Sequence, residues 1–409
     1  MARKERIISC LDVGTGKICA VVGRPAAEGR LEVLGAGLAP ADGFHKGVVV
    51  DMDEASSSIQ RAVQEAEAGS DVAMDWLHAG ISGDYIQGFN CHGAITIEGR
   101  NREVTARDMN QVLEAAQSIP LPPAREIIHV LPQEFFLDNR GEIRNPVGLT
   151  GSRLDVDVHV VTAESAQIQN LVNAINRGHM RVRKVILRQL ASAEAVLTGD
   201  EKDLGCAVVD IGAATTDIAI ILRNAVRFTS MVPVGGMHFT RDLAVGLRTP
   251  LEEAERIKLA AGTALLEGIA EDELIDVPGI GARGTRPMIR RFACEILHHR
   301  AVELMELVKG QLESSAAIEQ LMAGVVLTGG GGSLSGIQEL AERLLQVPVR
   351  PGPPLQSLGL TEDLHHPSHA TAVGLALLGA QDTDRFPARA GRAGSTPWFV
   401  NRILSWVGS

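Results

Sequence analysis

Ile8-Ser-Cys-Leu-Asp-Val-Gly-Thr-Gly-Lys17 and, far downstream, Cys206-Ala-Val-Val-Asp-Ile-Gly-Ala-Ala-Thr-Thr-Asp217 follow one design. Each reads as an apolar strand that ends in an aspartate, Asp12 or Asp210, and then a turn of small residues. The first turn holds Gly14, Thr15, Gly16 and Lys17; the second holds Gly212, Ala213, Ala214, Thr215 and Thr216. A turn without bulky side chains lets backbone N–H groups close on phosphate oxygens as an anion nest, and the threonine hydroxyls add donors. A third run, Val325-Val-Leu-Thr, ends in Gly329, Gly330, Gly331 and Gly332 and opens onto the helix-like stretch Ile337 to Leu345. The arrangement predicts two halves gripping one phosphate chain. Asp12 and Asp210 would repel that chain unless a hard cation stands between, so both are read as holding Mg²⁺, directly or through water. Either segment alone is equally a plain hairpin turn; the repetition and the third glycine run favour the phosphate reading. Neither turn is a Walker A loop, and no Gly-x-Gly-x-x-Gly fingerprint opens a helix.

The composition bounds the answer. A chain of 409 residues with 45% hydrophobic content can bury more than one core, and its length suits two or three domains. The formal net charge of -11 offers no basic surface for DNA or RNA, so no nucleic-acid partner is expected. Cysteines at 10, 19, 91, 206 and 294 form no Cys-x-x-Cys pair and read as reduced thiols of a cytosolic protein. Met1 to Arg6 leads straight into a strand with no signal peptide, and no apolar run approaches the roughly 20 residues of a membrane span.

Paired phosphate turns with a distal glycine run resemble the actin, heat-shock chaperone and sugar-kinase superfamily. The strings Leu131-Pro-Gln-Glu-Phe-Phe, Asn145-Pro-Val-Gly-Leu-Thr-Gly, Leu190-Ala-Ser-Ala-Glu-Ala-Val-Leu-Thr, Val209-Asp-Ile-Gly, Glu255-Arg-Ile-Lys, Val326-Leu-Thr-Gly-Gly and Thr371-Ala-Val-Gly-Leu resemble the FtsA family of bacterial cell-division proteins. With the first turn, they run from about residue 8 to about residue 380. The resemblance implies an α/β actin-like ATPase fold, two lobes around a nucleotide cleft, with an inserted FtsA-type subdomain. It implies ATP and Mg²⁺ as cofactors and a protein that polymerises on the cytoplasmic face of the inner membrane at the division site. There it would anchor FtsZ and help recruit later divisome proteins.

On this frame, residues 1–83 and 164–198 form the first lobe, 84–163 the insert, and 199–234 with 313–381 the second lobe. Residues 235–312 form a small subdomain near the adenine and the partner site. Within the insert, Thr105 and Asp108 signal the start of a helix that runs to Ser118. In the small subdomain, Glu255 and Lys258 lie three apart on one helix face, a surface ion pair by default. The resemblance instead places them, with Gly235 and Gly236, near the nucleotide, opposite Gly329 to Gly332. Pro287 to Leu312 reads as a helix whose charges default to a solvated face; the resemblance makes Arg300 and Glu303 the dock for the acidic C-terminal peptide of FtsZ. His238 reads as structural, and His365, His366 and His369 as a polar loop rather than a metal site.

Hydrolysis needs a group that orients water. The superfamily supplies it from the segment matching Leu187 to Ala193, which here lacks a Glu-Pro pair. Gln189 and Glu194 are the nearby substitutes, so ATP binding with weak or no hydrolysis is expected. A sugar kinase would need a poised aspartate base, and a chaperone would need a substrate domain where only about 30 residues follow Gly379.

The end of the chain reads differently. Residues 382–395 are small, polar and basic, as in a flexible linker. Residues 396–408 read as an amphipathic helix, capped by Ser395 or Thr396 with Pro397 in the first turn. Phe399, Val400, Ile403, Leu404, Trp406 and Val407 form one apolar arc, flanked by Trp398 and Arg402. Indole rings favour a membrane interface, so Trp398, Phe399, Arg402, Ile403, Trp406 and Val407 are the expected contacts with an anionic membrane surface. One such helix binds weakly; several in a filament of this chain would bind together. The alternative is a soluble actin-fold ATPase or kinase whose tail docks on itself.

Overall fold

The computed structural model describes residues 6–26, 30–98, 101–281, 283–356, 360 and 362–381. Linker 382–395 and helix 396–408, with all six expected membrane contacts, lie outside the described residues.

Two five-stranded sheets carry the same connectivity. In the first lobe, Ile8–Val13 pairs antiparallel with Lys17–Pro25, which pairs antiparallel with Leu31–Pro40. On its other side Ile8–Val13 pairs in parallel with Trp76–Ile81, and that strand in parallel with Arg181–Leu187. In the second lobe, Cys206–Ile211 pairs antiparallel with Thr216–Leu222, then Ala225–Val232, and in parallel with Val325–Thr328, then Val349–Pro351. The repeated turns seen in the sequence are thus the same hairpin of two matched sheets. Both leading strands are buried along their whole length, as expected where helices cover both faces.

Helix Met52–Ser70 covers one face of the first sheet, with Asp51 as its N-cap accepting from Asp53 and Glu54 N–H at 3.0 Å each. Gly37 permits that approach, since a Cβ there would run into the Ala62 carbonyl and lie 2.6 Å from the Ala66 nitrogen. The insert is a four-stranded sheet in the order Ile86–Thr96, Arg153–Glu164, Arg125–Leu137, Arg140–Ile143. Helix Ala106–Gln117 lies on it and starts in the expected capping box of Thr105 and Asp108. The insert has a core of its own, with Val112, Leu113, Phe135, Leu154, Val156 and Val158 buried.

Two findings differ from the sequence reading. The helix expected from Pro287 starts at Arg290 and runs to Ser314, while Pro287 belongs to a short strand, Arg286–Ile289, paired with Leu274–Val277. A two-stranded ribbon has a free edge, where a residue without an N–H is tolerated. Helix Ala370–Gln381, grouped by sequence with the second lobe, packs on Ile8–Val13 and Lys17–Pro25 of the first and on helix Arg188–Val196. Helix Arg188–Val196 in turn packs on Cys206–Ile211 and Thr216–Leu222 of the second lobe. The two helices therefore cross between the sheets in one core that joins Ile8, Cys10, Leu190, Val208, Ile221 and Val373. The all-round apolar sequence of Ala370–Gln381 suits burial on every side, whereas Arg188–Val196 buries Arg188, Gln189 and Ser192 along with its apolar residues.

Candidate nucleotide-binding cleft

Both small-residue turns close in the same way, Gly14 N–H donating to the Lys17 carbonyl at 3.1 Å and Gly212 N–H to the Thr215 carbonyl at 2.9 Å. They face each other: Ala214 N–H donates to Oγ1 of Thr15 at 3.0 Å across the lobes. A Cβ on Gly16 would lie 2.7 Å from Cβ of Ala213. Between them is a cavity of about 540 Å³ lined by Asp12, Gly14, Thr15, Gly16, Lys17, Asp210, Gly212, Ala213, Gly236, Glu255, Lys258 and Gly329 to Gly331. Gly329 has φ +81°, and a Cβ there would strike Asp210, so this position requires glycine.

Four expected residues stand behind the lining. Ala214 makes the contact to Thr15, Thr215 is buried beneath the turn, Gly332 backs onto Leu327, and Gly235 is the N-cap of helix Gly236–Leu247. That helix begins at the cavity, with Gly236 and Met237 N–H donating to the carbonyls of Gly212 and Ala213 at 2.9 and 2.7 Å. With these N–H groups and that of His238 already donated, the helix start offers an anion its dipole rather than free donors. His238 is structural: Gly235 N–H donates to its Nδ1 at 3.1 Å, and burial pulls its pKa down. Lys258 Nζ binds Glu255 at 2.7 Å, Oγ1 of Thr240 at 2.9 Å and the Gly236 carbonyl at 3.2 Å, so this pair is tied to the helix start.

Sequence reasoning missed the apolar part of the lining, to which Phe239, Leu259, Gly262 and Leu334 contribute. Nothing marks them in a string, because they arrive from separate elements.

It also missed two buried charged neighbours of the expected aspartates, Arg188 and Asp217. Asp12, Asp210, Asp217 and Arg188 are all buried, and Arg188 Nε lies 2.9 Å from Oδ1 of Asp12. Oδ2 of Asp210 accepts from Ser192 at 2.5 Å and Thr371 at 2.9 Å. Asp217 accepts from Ser82 at 2.5 Å, and its pKa is pushed up to about 7 by burial, with Asp210 and Asp12 adding to it and Arg188 opposing. Burial likewise raises Asp12 against the pull of Arg188. Burial works against the charge of Arg188, yet Asp12, Asp210 and Asp217 outweigh it and hold the guanidinium protonated. Lys17 is pulled down, mainly by burial, and its Nζ lies 3.0 Å from Oγ of Ser368.

Among the described residues no group of three or more His, Cys, Asp and Glu could hold a metal by itself. A carboxylate or two beside phosphates is the usual Mg²⁺ environment, and Asp12, whose buried Oδ1 meets Arg188 as an ion pair without a hydrogen bond, fits a cation that brings its own phosphate and water ligands and is held through them. His365 and His366 are engaged with the Pro354 carbonyl and Ser368. Neither substitute for the missing glutamate lines the cavity. Gln189 donates to the Ser230 carbonyl at 3.2 Å, and Glu194 is held by Lys202 and Gln381 at 2.7 Å each. Arg300 is already paired, with Asp242 at 2.6 Å and Glu303 at 2.5 Å. No described helix is long and apolar enough to cross a membrane.

Two matched lobes around one cleft define an actin-like fold, here with an extra domain inserted in the first lobe. Solved structures of that fold are similar to it: a PilM–PilN type IV pilus biogenesis complex chain at 17% identity and TM-score 0.65, covering 91% of this chain and 98% of that one. MreB5 of Spiroplasma citri bound to ADP matches at 13% identity and TM-score 0.56, covering 91% and 96%. The family model for cell division protein FtsA matches residues 207–374, and that for the SHS2 domain inserted in FtsA matches 83–162. The cell division protein FtsA of Pseudomonas aeruginosa is 41% identical over 376 residues, 92% of this chain and 90% of its own length. The chain belongs to the FtsA family of cell-division proteins.

Proposed function

We propose that this chain binds ATP with Mg²⁺ between the Gly14–Lys17 and Gly212–Thr215 turns, assembles into filaments on the cytoplasmic face of the inner membrane, and there anchors FtsZ and recruits later division proteins. The observation that carries the nucleotide reading is the meeting of both turns across one cavity, joined from Ala214 to Thr15. The structurally similar MreB5 was solved with ADP, which supports the same reading. The phosphates would lie on the turns and the start of helix Gly236–Leu247, and the base against Phe239, Leu259 and Leu334. Asp12 and Asp210 would hold the Mg²⁺ through its waters. With Gln189 and Glu194 both engaged away from the cavity, hydrolysis would be weak or absent.

Membrane attachment is assigned to Trp398, Phe399, Arg402, Ile403, Trp406 and Val407, from the amphipathic pattern of the sequence. The Arg300 and Glu303 surface would take the FtsZ C-terminal peptide, a carboxylate of the peptide displacing Glu303 or Asp242 from the guanidinium.

Liposome co-sedimentation with Mg-ATP tests the membrane half, comparing the full chain with a version ending at Ser395 and with Trp406→Glu. Full chain pelleting with anionic vesicles while both variants stay soluble supports it; all three in the supernatant would make the soluble, self-docked reading the better one.

A further inference from the structure

The nucleotide reading leaves one buried cation in the cleft without a task. Arg188 opens helix Arg188–Val196 directly after strand Arg181–Leu187. That strand runs parallel, through Trp76–Ile81, to Ile8–Val13, so its end reaches the same edge of the sheet as the Gly14 turn. The side chain is about nine-tenths buried and lines the cavity. Its Nε attracts Oδ1 of Asp12 at 2.9 Å, but the N–H is not aimed at the oxygen, and both atoms are buried with no hydrogen bond. A guanidinium carries five donors in a rigid fork, and a buried donor left unmade is costly. The arrangement is one that a ligand oxygen completes.

Resting on the nucleotide reading above, we propose that Arg188 binds the terminal phosphate of a nucleoside triphosphate and makes the cleft prefer triphosphate over diphosphate. The ion pair with Asp12 at 2.9 Å holds the guanidinium at the cavity before the ligand arrives, in the field of the buried acids Asp210 and Asp217. A terminal phosphate presents more charge and a better fork geometry than the misaligned Asp12 carboxylate, so it draws the donors away and frees Asp12. The other basic group on this wall, Lys17, is tied to Ser368. The neighbouring Gln189 is turned to the Ser230 carbonyl and leaves Arg188 alone at this position of the helix. The apolar lining residues Phe239, Leu259 and Leu334 come from other elements and take no part. The consequence is a triphosphate affinity that does not depend wholly on a divalent cation.

The test is equilibrium binding of fluorescent ATP and ADP analogues to the full chain, in Mg²⁺ and in EDTA, for the wild type, Arg188→Met and Arg188→Lys. Wild type should keep triphosphate binding in EDTA, at least ~10-fold tighter than diphosphate; Arg188→Met should lose about 10- to 100-fold for triphosphate and under ~3-fold for diphosphate, with Arg188→Lys between. Equal losses for both nucleotides, or none, would overturn the proposal while leaving the nucleotide site intact. Should Arg188→Met fail to fold by thermal melting, the wild-type ratio in EDTA decides, and a ratio below ~3 overturns it. Binding of neither nucleotide to wild type, with or without Mg²⁺, removes the nucleotide reading and this proposal together.

Discussion

Nε2 of His159 stands 2.8 Å from Oγ1 of Thr229, and this contact joins the insert to the second lobe. Nδ1 lies 2.7 Å from Oδ1 of Asn90, so with that acceptor it carries the proton and Nε2 accepts from the threonine. Gln133 adds a hydrogen bond to the Val226 carbonyl at 2.9 Å. Thr229 pairs with Ala219 on the strand that begins at the Gly212–Thr215 turn. The insert is thus fastened to the strand beside the one that leaves the Gly212–Thr215 turn, although it is covalently part of the other lobe. Thr229→Val should cost about 1–2 kcal/mol by chemical denaturation and raise hydrogen exchange in both Ile86–Thr96 and Ala225–Val232. Unchanged exchange in the second of these strands would mean that the contact carries no load.

The same histidine sets a pH response. Burial lowers His159 to about 4 and, first among its causes, His129 to about 3, while Leu187 N–H donates to Nε2 of His129 at 3.0 Å. Both fold neutral, so the unfolded chain takes up protons first. Their contribution is complete above the unfolded value of about 6.5 and is lost as pH falls toward 4 and below. Asp217 acts oppositely: raised from 3.8 to about 7, it keeps its proton in the folded state where the unfolded chain has lost it, so its cost grows as pH rises from the lower value and is complete above the higher one. Asp217→Asn, which can still accept from Ser82, should stabilise the protein at pH 8 by on the order of 2–4 kcal/mol, with the gain gone near pH 4. Melting curves at pH 8, 6 and 4.5 decide it, and a gain that does not shrink with acid sinks the assignment.

The crossed helices make a packing prediction. A Cβ on Gly374 would meet the Ala191 carbonyl and lie 2.9 Å from the Ala191 Cα. Gly374→Val should force Ala370–Gln381 off Arg188–Val196 and cost about 1–3 kcal/mol or more, read as a lower urea midpoint at constant slope. An unchanged midpoint would show that the helices have slack.

What the sequence disclosed divides along these lines. Asp12 with Gly14 and Asp210 with Gly212 were legible because strand, acid and turn are consecutive, and the capping box of Thr105 and Asp108 for the same reason. Arg188 was not, because its meaning comes from carboxylates on three other strands. Phe239, Leu259 and Leu334 line one cavity only after two helices and a glycine turn have packed. The place of Ala370–Gln381 was missed because an all-apolar helix carries no face by which to choose a lobe. Pro287 misled because proline suits a helix start as well as the edge of a ribbon.

The approach of the lobes can be tested at two adjacent positions with opposite chemistry. Thr15 supplies an oxygen to Ala214 across the cleft, whereas Gly16 supplies room, its absent side chain leaving space for Ala213. Thr15→Val removes the hydrogen bond and keeps the volume; it should weaken nucleotide binding about 5- to 10-fold, since one neutral hydrogen bond is worth about 1 kcal/mol. Gly16→Val instead props the lobes apart and should lose at least ~10-fold more, because the propped turns no longer meet around one phosphate chain. Neither residue is in a lobe's own core, so melting temperatures without nucleotide should stay within a few degrees of wild type, about the shift that ~0.5 kcal/mol brings. Small-angle scattering with and without Mg-ATP separates the two. Thr15→Val should still contract on nucleotide addition and Gly16→Val should not; contraction of both would mean that the turns do not need to touch for the cleft to close.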